Sequence, residues 1–326
     1  MIMKIFVSGV TGFLGQRISG SLISKGHELA TLSRNVAVGD RAPNTESLIR
    51  GESISGIKYY FGDLTDYLAI SDALQEFQPD IIIHLAAQTS VAYSFTHMKE
   101  VFDVNFIGVF NMAEAARRNV PNLKKFIWSG SAEEYGIQPE EAYPTKEDSV
   151  QLHAASPYGV AKIAAENLLK YMYQAYGFPV VIFRNANSYG RQNNHQFIIE
   201  SIIFQMIKGD SPINLGDPKP IRDFIFEEDL LNAYILGAET DDPSIVGEAI
   251  NITSGESISI LDLAEKIKKL IGYTGEIKWN SFPKRALEIP KLHMDNTKVT
   301  TLLKWVPKYS LEEGLKKTIS YYLPKK

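Results

Sequence analysis

The stretch Ile5-Phe6-Val7-Ser8-Gly9-Val10-Thr11-Gly12-Phe13-Leu14-Gly15 decides the fold. An apolar run leads into three glycines spaced three apart. An amphipathic pattern, Leu14, Ile18, Leu22 and Ile23, follows. Strand, glycine turn, then helix is the context in which such a motif binds a dinucleotide. Glycines let the backbone approach a pyrophosphate, and the helix start supplies N–H donors and a positive dipole end. The spacing is G-x-x-G-x-x-G, not the G-x-G-x-x-G of the ordinary dehydrogenase fingerprint. A tight structural turn is the alternative reading.

Outward from this motif, strands and helices alternate. Residues 3–8, 28–33, 57–61, 80–85, 124–130 and 179–184 read as strands. Residues 12–25, 66–77, 98–119 and 157–176 read as helices, and 36–55 as a polar loop. Ile81-Ile82-Ile83 and Val180-Val181-Ile182-Phe183 have the unbroken apolar character of buried parallel strands. The pattern predicts an α/β fold, a doubly wound parallel sheet with right-handed crossovers. After about residue 185 it loosens into helical stretches (196–208, 228–238, 259–271) among polar, glycine-containing segments. The expected organisation is a dinucleotide-binding domain over 1–184, with 223–253 returning to it. A smaller α/β substrate region then spans 185–222 and 254–326.

Bulk properties narrow the function. At 326 residues the chain accommodates one large or two small domains. A net charge of −4 argues against nucleic acid as a partner. With no cysteine there is no disulfide, thiol nucleophile or thiolate metal site. The six histidines (27, 84, 97, 153, 195, 293) show no ligand spacing, so no metal is expected. The first strand starts almost at Met1, which leaves no room for a signal peptide. No apolar run is long enough to span a bilayer. The expected location is the cytoplasm.

A second motif is Ser156-Pro157-Tyr158-Gly159-Val160-Ala161-Lys162. Pro157 suits the first turn of a helix. Tyr158 and Lys162, four apart, share one helix face. An ammonium near a phenol favours the phenolate, so the tyrosine can act as a base near neutral pH. Taken alone it is an ordinary surface Tyr-Lys pair; beside the glycine turn it reads as chemistry.

Gly9/Gly12/Gly15, Asp63, Ser131, Tyr158 and Lys162 together resemble the extended short-chain dehydrogenase/reductase family, whose members modify nucleotide-activated sugars. His84-Leu85-Ala86-Ala87, Arg184-x-x-Asn187-x-Tyr189-Gly190 and Arg222-Asp223-Phe224-Ile225 match further family stretches. The resemblance covers nearly the whole chain. It implies that Gly9, Thr11, Gly12, Phe13, Leu14 and Gly15 hold the dinucleotide. Asp63 would contact the adenine beside Leu64, and Leu85, Ala86, Ala87 and Asn105 would complete the cofactor site. Where the second strand ends, Ser33-Arg34 replaces the carboxylate that would bind a ribose diol and repel a 2′-phosphate. Serine with arginine suits a phosphate, so NADP is expected, with NAD as the alternative.

The resemblance also implies a mechanism. Tyr158 takes the proton from a C4 hydroxyl of a hexose, Lys162 lowers its pKa and holds the nicotinamide ribose, and Ser131 bonds the same oxygen. Glu133 resembles the glutamate that sugar-nucleotide 4,6-dehydratases carry two residues before a Tyr-Gly pair. It would take the C5 proton and help water leave C6. Dehydratases acting on thymidine-linked sugars carry an aspartate where this chain has Ala132. The run is closer to GDP-mannose 4,6-dehydratases, and closer still to GDP-4-keto-6-deoxymannose reductases. Arg191 stands where the family usually has proline. Arg222 and Arg285 are the expected diphosphate clamps. Asn187 would contact a substrate phosphate, and Glu288 the nucleoside sugar. Gln88, Thr89, Ser90 and Tyr93 would line the hexose pocket, with His195 and Gln196.

The implied function is NAD(P)-dependent modification of a nucleotide-diphosphate hexose through a 4-keto sugar, of the dehydratase or 4-keto-reductase type on a GDP-sugar. The alternatives are a UDP-glucose 4-epimerase-like reaction and, from another class, a non-catalytic dinucleotide sensor. Such sensors usually lose the tyrosine or lysine, which this chain keeps. A homodimer through helices 98–119 and 157–176 is implied too.

Overall fold

The computed structural model of the chain describes residues 2–34, 56–192 and 194–323. The expected polar loop over 36–55 lies outside them. In chain order the elements are β1 (Lys4–Ser8), α1 (Phe13–Ser24), β2 (Glu28–Ser33), β3 (Ile57–Phe61), α2 (Tyr67–Phe77), β4 (Ile81–His84), α3 (Val91–Ser94) and α4 (Met98–Phe102). Then come α5 (Gly108–Asn119), β5 (Lys125–Ser131), α6 (Pro157–Tyr176), β6 (Val180–Asn185), β7 (Asn187–Tyr189), α7 (Ile198–Lys208), β8 (Ile213–Asn214) and β9 (Ile221–Phe226). The chain ends with α8 (Glu227–Glu239), β10 (Ala249–Ile252), β11 (Ser257–Ser259), α9 (Ile260–Ile271), β12 (Ile277–Lys278), α10 (Thr297–Leu303) and α11 (Leu311–Tyr322).

Seven strands form one sheet in the order β10-β6-β5-β4-β1-β2-β3. β1 pairs in parallel with both β2 and β4, and the strand order reverses around it. Ile81, Ile82 and Ile83 are at most 1% exposed, as strands covered on both faces must be. Leu74, Met112, Trp128, Leu169 and Ile182 belong to the core packed on this sheet. The helix carrying Tyr158 starts where its sequence says. Ser156 Oγ accepts from Gly159 N at 3.1 Å, and Pro157 occupies the first turn.

The expected helix 98–119 is interrupted. Asp103–Ile107 forms one π-helical turn between α4 and α5. Asn105, inside that turn, donates from Nδ2 to Gln88 O at 2.9 Å and accepts from Gln88 N at 2.8 Å. This tie to a loop 17 residues away accounts for the widened turn.

The chain divides into two compact units. The first is 1–134, 156–184 and 231–250; the second is 135–155, 185–230 and 251–326. The division corrects the expected one in three places, the smallest being 251–253, which fall in the second unit. Residues 135–155 belong to the second unit, because Thr145 N donates to His293 O at 2.8 Å and Thr145 O accepts from Asp295 N at 3.0 Å. Residues 223–230 belong there too: β9 pairs with β7 and β11 in a three-stranded sheet. That unit has its own core, with Ile202, Ile203, Phe226, Leu263 and Leu315. No described helix is long and apolar enough to cross a membrane.

Candidate active site

The glycine turn is built for close approach. Gly9 has φ +77, and a Cβ on Gly15 would lie 2.1 Å from Gly9 O. α1 has no side-chain cap at Gly12 and no acidic residue in its first turn. This cradle of glycine backbone and helix start fits a dinucleotide pyrophosphate. Phe13 and Leu14 open that helix, and Thr11 O accepts from Gln16 Nε2 at 3.1 Å.

The stretch after β4 packs against the turn. Ser8 Oγ accepts from Leu85 N at 3.1 Å and Ala86 N at 3.2 Å, and bonds His84 Nδ1 at 2.9 Å. Two accepted bonds leave the serine its O–H to give, so it donates to Nδ1. Burial, then the nearby Lys162 charge, pulls His84 down to about 3, so the imidazole is neutral. Ala87 follows, and Asn105 ties Gln88 by both its N–H and its carbonyl. Asn105, expected among the cofactor contacts, holds this loop with its amide. Ser90 caps α3 by accepting from Tyr93 N at 3.2 Å. Tyr93 turns its hydroxyl to Glu100 at 2.6 Å, and its ring stacks on His97.

At the end of β3, Asp63 accepts from Thr65 N and Oγ1, at 2.9 and 2.7 Å. Its other oxygen lies 3.9 Å from Arg34 Nε, whose side chain is 76% exposed. Ser33 ends β2 beside it. Leu64 O accepts from Asn111 Nδ2 at 2.9 Å, a contact no sequence motif announces.

Ser131, at the end of β5, and Tyr158 and Lys162, on α6, come together. The Ser131 hydroxyl accepts from Glu133 N at 3.2 Å and stands near enough to the Tyr158 phenol to lower its pKa. Lys162 Nζ donates to Ser129 O at 2.7 Å, 5.8 Å from the Tyr158 ring centre. The lysine was expected to lower the tyrosine pKa. Here burial dominates and pushes the phenol far up; Ser131 opposes it, and a negative charge on Glu134 or Glu133 would add to it. Burial pulls Lys162 down to about 8, against the raising influence of Glu134. Glu133 is buried, 8% exposed.

Two buried groups here escaped the sequence reading. Glu166, on α6, takes two bonds from Arg184, at 2.9 and 2.5 Å, and lies 2.8 Å from Lys170 Nζ. Glu134 is fully buried and accepts from Ser131 N at 2.6 Å. The i,i+4 spacing of Glu166 and Lys170 was a visible signal. The partnership with Arg184 was not.

In the second unit, Arg222 donates from NH2 to Glu288 Oε1 at 2.6 Å and from NH1 to Ile289 O at 2.8 Å. Arg285 Nε is 3.8 Å from the other Glu288 oxygen. The structure thus joins the three residues expected at the nucleotide, with Glu288 engaged by both arginines. Asn187 Nδ2 donates to Asp223 O at 3.2 Å. Arg191, in the place of the proline, stacks 3.7 Å over Phe197 and bonds Ser188 O at 2.5 Å. His195 stacks on Phe204, and Gln196 N donates to Asn194 at 3.0 Å.

The family model described as GDP-mannose 4,6 dehydratase matches residues 6–318. The chain belongs to that family. It is an extended short-chain dehydrogenase/reductase, of the kind that includes nucleotide-sugar epimerases and dehydratases. A UDP-glucose 4-epimerase of Mycolicibacterium smegmatis is 30% identical over 324 residues, 98% of each chain. A dTDP-glucose 4,6-dehydratase of Haemophilus influenzae is 26% identical over 342 residues, 99% of this chain and 98% of that one. The solved UDP-glucuronic acid 4-epimerase of Bacillus cereus, in complex with UDP-glucuronic acid and NAD, superposes with a TM-score of 0.85. It is 27% identical, covering 98% of both chains. Family membership agrees with the glycine turn and with Ser131, Tyr158 and Lys162 standing at the ends of β5 and the start of α6.

Proposed function

We propose that the protein works through a 4-keto sugar on a nucleotide-diphosphate hexose, as a 4,6-dehydratase or 4-keto reductase. The observation that carries this reading is the burial of Glu133 beside the Ser131–Tyr158 pair. A bound nicotinamide supplies the hydride chemistry at C4. Ser131 holds the C4 oxygen, and Tyr158 moves its proton. Lys162 holds the ribose. Glu133 takes the C5 proton and gives one to the departing C6 hydroxyl, so water leaves and a C5–C6 double bond forms. With Ala132 in the neighbouring place, one carboxyl serves both transfers.

A 4-epimerase is the second reading, favoured by the names of the Mycolicibacterium and Bacillus relatives. The Glu133-Glu134-Tyr135-Gly136 run supports a GDP-sugar; the relatives act on uridine- and thymidine-linked ones. Asn187, Arg222, Arg285 and Glu288 are assigned to the nucleotide, and Gln88 and Ser90 to the hexose. Mass spectrometry of GDP-, UDP- and dTDP-sugars incubated with the protein tests the assignment. Loss of one water means a dehydratase. A gain of two hydrogens on 4-keto sugars with NADPH means a reductase. A separable isomer of unchanged mass means an epimerase and leaves Glu133 without a role.

NADP is our assignment for the cofactor, on the exposed Arg34 beside Ser33 and the lack of a carboxylate at the end of β2. Arg34→Ala should weaken NADP binding about tenfold and NAD binding much less, since one charge-assisted phosphate bond is lost. Equal weakening of both, by calorimetry, would sink it.

The protein is also assigned as a homodimer. Ile107, Phe110 and Val160 are 40, 41 and 46% exposed on the helical faces expected to pair with a second copy. Light scattering should give twice the mass of one chain, and Val160→Glu should return it to one. A cytoplasmic location belongs to the same reading, checked by cell fractionation.

A further inference from the structure

Glu134 has no role in the reaction above, yet it is among the most buried charges of the molecule. It is 0% exposed, at the turn after β5, and its Oε1 accepts from Ser131 N at 2.6 Å. Its Oε2 is buried with no hydrogen-bond partner among the described residues. The group facing it is Glu166, already held by the Arg184 fork and by Lys170. Two carboxylates cannot both stay ionised in one dry pocket. Arg184 and Lys170 hold the charge on Glu166, so the proton belongs on Glu134. Burial, and then Glu166, push its carboxyl far above the usual range, with Arg184 and Lys162 opposing. Tyr158 stands near it too, since its phenol feels the Glu134 carboxyl, and Glu133 precedes it in the chain.

We propose that Glu134 is a positioning residue. As an uncharged acid wedged between the Ser131 amide and the Glu166–Arg184 pair, it fixes the serine hydroxyl on the Tyr158 phenol without setting a negative charge beside it. This rests on the assignment of Ser131, Tyr158 and Lys162 to the reaction proposed above. An ionised Glu134 would oppose the phenolate and hold the proton on Tyr158. A neutral one keeps the geometry and removes that opposition. The fixed link is short: Glu134 accepts from the Ser131 amide at 2.6 Å, and the Ser131 hydroxyl accepts from Glu133 N at 3.2 Å beside the phenol whose pKa it lowers.

Two variants and one spectrum test it. Glutamine keeps the acceptor for Ser131 and supplies an N–H toward Glu166, so Glu134→Gln should keep kcat within about threefold and leave the acid limb of its pH profile in place. Glu134→Leu should lower kcat about 100-fold with KM unchanged, the scale on which an ångström of misplacement slows a reaction. Infrared difference spectra of wild type against Glu134→Gln at pH 8 should show the C=O stretch of an un-ionised carboxylic acid in the wild type alone. An acid limb that moves down by one pH unit or more in Glu134→Gln would mean a charge had been removed, and would overturn the proposal. So would wild-type turnover by Glu134→Leu, or an absent acid band. The spectrum needs no substrate. A wild type that shows the band but turns over no sugar nucleotide sinks the reaction and leaves the placement of Glu134 standing.

Discussion

Tyr158→Phe is expected to lower kcat by about 10³-fold or more while leaving cofactor and sugar-nucleotide binding within a few-fold of wild type. The size follows from removing the group that moves the C4 oxygen proton, since positioned proton transfer contributes roughly 10²–10⁴-fold. Binding survives because the ring stays. Tyr158 is 7% exposed and packs with Val101 and Ala161, and phenylalanine fills the same space. The folded protein loses one buried hydroxyl and one bond with Ser131, a change near neutral for stability. Single-turnover and calorimetric measurements on the same preparation separate the two effects. A variant that keeps a tenth of wild-type kcat would remove Tyr158 from the chemistry.

Arg184→Met should have the largest effect on stability, about 3–5 kcal/mol, because it strips a buried carboxylate of its bidentate partner. Arg184 is 1% exposed and Glu166 0%, so no solvent replaces the guanidinium. Lys170, on the next turn and a third exposed, offsets part of the loss. Replacing both residues, Glu166→Met with Arg184→Met, should recover much of the stability, since no charge is then left unpaired. Denaturant melts of the two single variants and the double decide it. If the double variant is as unstable as the sum of the singles, the cost lies in packing, not in a stranded charge.

Much of this was legible in the sequence, for physical reasons. β4 and β6 announced themselves because strands covered on both faces must be apolar throughout, as Ile81-Ile82-Ile83 is. Gly15 was legible because the turn leaves no room for a Cβ. Tyr158 and Lys162 were legible because helix geometry puts residues four apart on one side. What depends on distant parts of the chain was not. The π-helical turn follows from Asn105 reaching Gln88. The place of residues 135–155 follows from Thr145 pairing with His293 and Asp295, some 150 residues later. Glu134 carries no signal of its own in the sequence beyond standing next to Glu133. Only the fold sets it against Glu166 and gives the two neighbouring glutamates different surroundings. The burial that raises the Tyr158 pKa depends on the fold in the same way, as does the bond that Lys162 gives to Ser129 O with one of its three N–H groups.

The position of β10 at the end of the sheet has a consequence for how the protein is made. β6 is complete at Asn185, but the strand that covers its far side is Ala249–Ile252. About 65 residues must still be translated before that strand exists, several seconds at roughly 5–20 residues per second. Throughout that interval Val180-Val181-Ile182-Phe183 presents an apolar ladder of unpaired N–H and C=O groups to its surroundings, the kind of surface that invites pairing with other chains. The nascent protein is most vulnerable to aggregation, and most in need of a chaperone, after the dinucleotide turn and the tyrosine-lysine helix have both been synthesised.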